Sequence, residues 1–148
     1  MPTHSETRKL PYTARQMFDL VADVGSYPQF LPWAAAARVR RRTPVAGGEL
    51  MEADLVISFR VFRERFGSKV MLWHDDMKID TEYLDGPFRH MISNWAFRDL
   101  EEGGCEVSFF VDFEFRNALL QSVIGVVFND AMQRIVHAFE RRAEELYG

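Results

Sequence analysis

Residues 105–148 read CEVSFFVDFEFRNALLQSVIGVVFNDAMQRIVHAFERRAEELYG, and a change of period inside this stretch decides the architecture. Up to Phe115 the apolar residues alternate. Val107, Phe109, Val111, Phe113 and Phe115 share one face, and Asp112, Glu114 and Arg116 lie opposite with Phe110. Alternation at period two describes a strand with one face covered and the other wet. Past Asn117, a residue suited to a helix N-cap, the spacing changes to three and four. Leu119, Leu120, Val123, Ile124, Val127, Phe128, Met132, Ile135, Val136, Phe139, Ala143 and Leu146 form one stripe. The stripe predicts a helix of about 28 residues, about 42 Å long. Only the preceding strands offer a surface long enough to cover it.

Working upstream, Gly103-Gly104 and Asp85-Gly86-Pro87 read as turns between strands, and Gly47-Gly48 marks another. Met51, Ala53, Leu55, Ile57, Phe59 and Val61 alternate cleanly on one face of the strand after Gly48. Thr13 is placed to cap a helix that carries Met17, Phe18, Val21 and Ala22 and stops at Gly25. Pro32 disfavours helical dihedrals at Leu31, so residues 26–33 form a compact apolar loop, with Pro28 able to open a short helical turn. The predicted order is a strand, two short helices, six strands and the long helix. This is an α+β helix-grip arrangement, a curved antiparallel sheet of about seven strands wrapped around a long C-terminal helix. Residues 1–148 read as one domain, without repeat or linker.

Composition narrows the function. Of 148 residues, 47% are hydrophobic and 14% aromatic, which excludes a disordered chain. Cys105 is the single cysteine, so neither an intramolecular disulfide nor a multi-cysteine zinc site is available. The most apolar run, Leu119–Phe128, is half the roughly 20 residues a membrane-spanning helix needs. The N-terminus shows no targeting pattern. A cytoplasmic protein is expected, with at most peripheral contact at the inner face of a membrane. The net charge of −4 argues against a DNA-binding domain. Charge is uneven, however: residues 1–70 carry 11 Lys/Arg against 7 Asp/Glu, and residues 71–148 carry 7 against 15. Arg38, Arg40, Arg41 and Arg42 form either a patch for an anionic partner or a solvated strand face.

Several stretches resemble the coenzyme Q-binding protein family of the START-related, polyketide cyclase-like superfamily. They are Ala22-Asp23-Val24-Gly25-Ser26-Tyr27-Pro28-Gln29-Phe30-Leu31-Pro32-Trp33, then Asp85-Gly86-Pro87-Phe88, Trp95-Ala96-Phe97, Cys105-Glu106-Val107-Ser108-Phe109, Phe113 to Leu120, and Phe139-Glu140-Arg141-Arg142-Ala143. The matches run in order along essentially the whole chain and look like a bacterial member. The resemblance implies a carrier that binds ubiquinone or a related isoprenoid lipid and supports respiratory electron transport. Relatives described as ribosome-association toxins, which block joining of ribosomal subunits, imply a ribosome partner as the alternative. Cyclases of the superfamily imply a third, enzymatic reading, because fold alone does not set function.

The residues supply no obvious catalytic or metal-binding constellation. His4, His74, His90 and His137 fit no ligand spacing, Asp75-Asp76 reads as a solvated strand end, and Cys105 reads as a small buried hydrophobe. No cofactor is expected other than the lipid itself. A curved sheet and a straight helix leave a gap that is either plugged by side chains or kept for a ligand. The expected cavity wall is Leu55, Ile57, Phe59, Trp95, Phe97, Phe109, Val111 and Phe113, with Val123, Val127 and Phe128 from the helix. Phe30, Leu31, Pro32 and Trp33 would form a gate or membrane-touching lip. Gly125, mid-helix, is read as a notch for a ligand or loop, or as a site of tight packing on a strand. A quinone head needs a hydrogen-bond donor, and none is assigned by these patterns.

Overall fold

A computed structural model describes residues 3–59 and 62–148, the side chains at 59 and 62 excepted. Strand β1 (Thr3–Leu10) leads into helix α1 (Ala14–Ala22) and a 3-10 turn (Val24–Gln29). Six strands follow: β2 (Ala34–Val45), β3 (Gly48–Phe59), β4 (Phe62–Trp73), β5 (Lys78–Asp85), β6 (Phe88–Asp99) and β7 (Cys105–Phe115). Helix α2 (Ala118–Tyr147) closes the chain. The strands form one antiparallel sheet in the order β1-β7-β6-β5-β4-β3-β2. The predicted helix-grip architecture is therefore the observed one. The strand expected from Phe66 begins earlier, at Phe62.

Local chemistry explains the element ends. Thr13 accepts from the Gln16 amide and Gln16 reaches back to the Thr13 amide, a reciprocal cap worth about 1 kcal/mol. Asn117 caps α2 by accepting from the Leu120 amide. Gly47 turns the β2–β3 hairpin at φ +80°, a backbone conformation open to glycine at no steric cost. Gly48 has no room for a side chain, since a Cβ there would lie 2.0 Å from the Leu72 carbonyl oxygen. Register shifts in β2, at Gly67/Ser68 and at Phe88/His90 bend the sheet.

The backbone of α2 comes closest to α1 and β7. Polar side chains fasten its later turns: Arg8 donates to Gln133 and Glu140, Arg142 to Gln29, and the Tyr147 hydroxyl to the Gln16 carbonyl. Its buried stripe is narrower than predicted. Leu120, Phe128, Ala131, Val136, Phe139 and Ala143 are buried, while Leu119 and Leu146 are 66% and 52% exposed. Adjacent residues lie about 100° apart around a helix, so only one of each apolar pair faces the sheet. Gly125 answers to neither expectation placed on it. It is exposed, and a Cβ added there would meet nothing within 4 Å.

Cys105 is fully buried beside α1, and burial, with the Asp99 carboxylate second, pushes its thiol up to about 11. The native thiol is expected to stay unlabelled by a disulfide-exchange reagent at pH 8 and to react once per chain on unfolding. Rapid labelling of the native protein would contradict a closed core here.

Candidate functional site

The apolar interior is divided in two. One cluster joins α1 (Met17, Phe18, Val21) to Met51, Leu72, Ile79, Phe97, Phe139 and Ala143. The other joins Phe66, Phe88, Met91, Phe113, Phe115, Leu120 and Phe128, with Phe88 stacked on Phe115 at 4.7 Å between ring centroids. Between them, under α2, lies a cavity of about 280 Å³ lined by residues of both clusters. It exists because the facing residues are small: Ala53, Ser68, Thr81 and Ser93 on the sheet and Ala131 on the helix all line it.

Of the expected wall, Leu55, Ile57, Trp95, Phe109, Val111, Phe113 and Phe128 line this space. Phe97 does not. Its ring lies parallel to Trp95 at 6.0 Å and edge-on to Phe18 at 5.7 Å, inside the first cluster. Val123 and Val127 flank α2 away from the lining, because Ile124 and Phe128 hold the inward positions of their pairs. Phe59 lies outside the residues whose side chains are described.

The Pro-bounded loop divides its labour. Leu31 and Trp33 line the cavity, whereas Phe30 and Pro32 do not. Phe30 instead packs edge-on against Phe139 at 5.4 Å, with the Arg142 guanidinium 5.4 Å from its ring centre, and so pins the loop to α2. Trp33 adopts φ +66°, a left-handed conformation that costs a non-glycine residue about 1 kcal/mol or more. Its carbonyl accepts from the Ser58 amide at 2.8 Å, which ties the strained residue to the end of β3. Residues the wall expectation omitted include Val21, Val24 and Tyr27. Val21 comes from the last turn of α1, and Val24 and Tyr27 come from the 3-10 turn that directs them inward. Tyr27 donates its hydroxyl to the Val21 carbonyl, and burial, with Asp23 second, holds that phenol above its usual range.

The arginine patch is largely neutralised by the facing strand. Arg40 pairs with Asp54, Arg38 reaches Asp54 at 3.9 Å, Arg41 reaches Glu52 at 3.6 Å, and Arg42 pairs with Glu49. Arg65 adds a further hydrogen bond to Asp54 at 2.6 Å, beside the two from Arg40. The hydrogen bond from Arg40 leads the effects that hold the Asp54 carboxyl below its ordinary range. Such exposed pairs add little stability, but they cancel most of the local positive field.

The histidines are apart from one another. His4 hydrogen-bonds Glu6 at 2.9 Å, His74 packs on Phe18, His90 meets Asp112 at 3.2 Å, and His137 is exposed. Among the described residues no three His, Cys, Asp or Glu side chains gather as metal ligands. No helix among them is long and apolar enough to cross a membrane.

Comparisons with known proteins agree with this geometry. Residues 10–140 match the family model described as polyketide cyclase/dehydrase and lipid transport. The ribosome association toxin RatA of Escherichia coli K12 is 38% identical, over 99% of this chain and 90% of the relative. The mitochondrial coenzyme Q-binding protein COQ10 homolog B of Xenopus laevis is 30% identical, over 98% of this chain and 59% of the relative. Among solved structures, the 18 kDa protein CC1736 of Caulobacter crescentus superposes with a TM-score of 0.82 at 32% identity, covering 100% of this chain and 99% of that one. These curated relatives are named as binding or toxin proteins, while the family description also includes cyclases.

Proposed function

The chain belongs to the polyketide cyclase/dehydrase and lipid transport family, and from that premise we propose that it carries a prenylated quinone such as ubiquinone. The observation that supports this reading is the cavity between sheet and helix, apolar over nearly its whole lining. A cavity of roughly 150 Å³ holds benzene, so about 280 Å³ suits a substituted ring and the first part of a chain. A longer isoprenoid tail leaves past the half-buried Leu31, Trp33 and Ile57, where apolar side chains can also touch a membrane surface. The lining offers no general base to a substrate: among the described residues its only carboxylate is Asp54, engaged by Arg40 and Arg65. This favours carriage over cyclisation.

Protein purified without detergent from a quinone-making cell is expected to release a prenylated quinone into organic solvent, identified by mass spectrometry. A short-chain ubiquinone added to emptied protein is expected to quench the emission of Trp33 and Trp95 saturably. An empty extract together with no saturable quenching would overturn the proposal.

A second reading, association with a ribosomal subunit, is favoured by the name of the 38% identical relatives. Co-sedimentation with ribosomal subunits at low salt tests it. Loss of that association in a variant with Arg38, Arg40, Arg41 and Arg42 neutralised would assign it to the patch. No association at low salt would end this reading.

A further inference from the structure

We propose that Ser68, Thr81 and Ser93 seat the polar head of the ligand, and that this head is a neutral ring bearing carbonyl or hydroxyl oxygens. The proposal rests on the lipid-binding reading above and supplies the head-group contacts that reading lacks.

The three residues sit on adjacent strands. Thr81 of β5 is the register partner of Ser93 of β6, and Ser68 of β4 pairs with Tyr83, two residues from Thr81 on the same face. All three line the cavity. Each interrupts an apolar face: Ser68 lies between Phe66 and Val70, Thr81 between Ile79 and Tyr83, and Ser93 between Met91 and Trp95. The hydroxyls therefore form a short diagonal across an otherwise apolar floor.

Their hydrogen bonding is unspent. None of the three hydroxyls bonds to a side chain or backbone group of the described residues. Among those residues, no side-chain polar atom closed off from solvent-sized space lacks a partner. The hydroxyls consequently face the open volume of the cavity rather than packed protein. A hydroxyl buried without a partner is unfavourable, so three together on one face call for a ligand or water that bonds them.

Chemistry selects the ligand class. Hydroxyls donate to a carbonyl oxygen and accept from a phenol, so they serve both the oxidised and the reduced form of a quinone ring. Among the described residues an anionic head finds no cation in the lining, and burying an unpaired charge there is strongly disfavoured. Fatty acids and phospholipid phosphates are excluded from this seat on that ground. The phenol on the lining, Tyr27, is already committed to the Val21 carbonyl.

The test compares a short-chain ubiquinone with an oxygen-free alkylbenzene of similar length, each titrated by calorimetry against emptied protein. Wild type is expected to bind both. Thr81→Val should weaken the quinone about 3–10-fold and leave the alkylbenzene within about twofold, while Thr81→Ser retains quinone binding. Combining Ser68→Ala, Thr81→Val and Ser93→Ala should cost the quinone about 30-fold or more, again without loss of the alkylbenzene. Removing hydroxyls that lack protein partners leaves the thermal midpoint unchanged or raised, which separates lost contacts from lost folding. If the triple variant binds both ligands like wild type, the seat is overturned and the lipid-binding reading stands. If wild type binds neither, both fall together.

Discussion

Replacing Phe18 by alanine is expected to remove about 3–5 kcal/mol of folding stability. The ring is fully buried, meets Phe97 edge-on at 5.7 Å and lies 5.1 Å from the imidazole of His74. It thereby joins α1 to the β6 strand and to the turn after β4 in one contact. Truncation leaves a ring-sized void between three elements that are each held elsewhere by backbone hydrogen bonds, so the site cannot collapse to fill it. A domain of this size has about 5–15 kcal/mol in total, and the loss corresponds to about 6–20 °C in thermal midpoint. Urea unfolding of both proteins, followed by far-ultraviolet circular dichroism, measures it. A loss under about 1 kcal/mol would show that α1 is not part of the cooperative core.

Phe18 also illustrates what was legible in the chain before its structure. Period-two alternation in β3 and β7 and the 3.6-residue stripe of α2 each require a covered face, and only one arrangement covers both. The architecture followed from residues such as Val107, Phe109, Val111 and Phe113 because burial acts on every second position of a strand without reference to the partner. Which member of an apolar pair turns inward on α2 is different information. Leu119 and Leu120, or Val127 and Phe128, are equivalent in composition, and the choice depends on the rotation of the helix against β7. That rotation is set by contacts distant in sequence, such as Arg8 with Gln133 and Glu140.

The cavity was legible only by half. Large residues announced an aromatic interior, and most of them do line the space. Volume, however, is created by what is missing, and the small residues Ala53, Ser68, Thr81, Ser93 and Ala131 come from five separate elements. Aligning them requires the strand register. Phe97 shows the converse: it has the parity of a wall residue, yet it falls beyond the small-residue seam, where α1 covers the sheet. A usable signal was present in the inward Ser and Thr positions, since a hydroxyl between two apolar neighbours on a covered face needs a reason.

Filling the seam from the helix side provides the sharpest functional test. Ala131 is 6% exposed and is the one small side chain on the cavity face of α2, among Phe128, Met132, Ile135 and Phe139. Ala131→Phe adds a ring equivalent to benzene to a space of about 280 Å³, and a cavity near half that volume accepts benzene. The domain should therefore fold, since gained burial offsets an overpacking cost of about 1–3 kcal/mol. The ligand, by contrast, loses about half of the space that its substituted ring and the first part of its chain would fill. Quinone affinity is expected to fall at least about 100-fold, close to 2.7 kcal/mol, with a thermal midpoint within about 5 °C of wild type. Val126→Phe, at a position 85% exposed on the opposite side of the same helix, supplies the matched control and should bind as wild type does. A folded Ala131→Phe protein that keeps wild-type affinity would place the ligand outside this cavity. Equal losses in both variants would instead point to α2 as a whole, with ring volume inside the seam irrelevant.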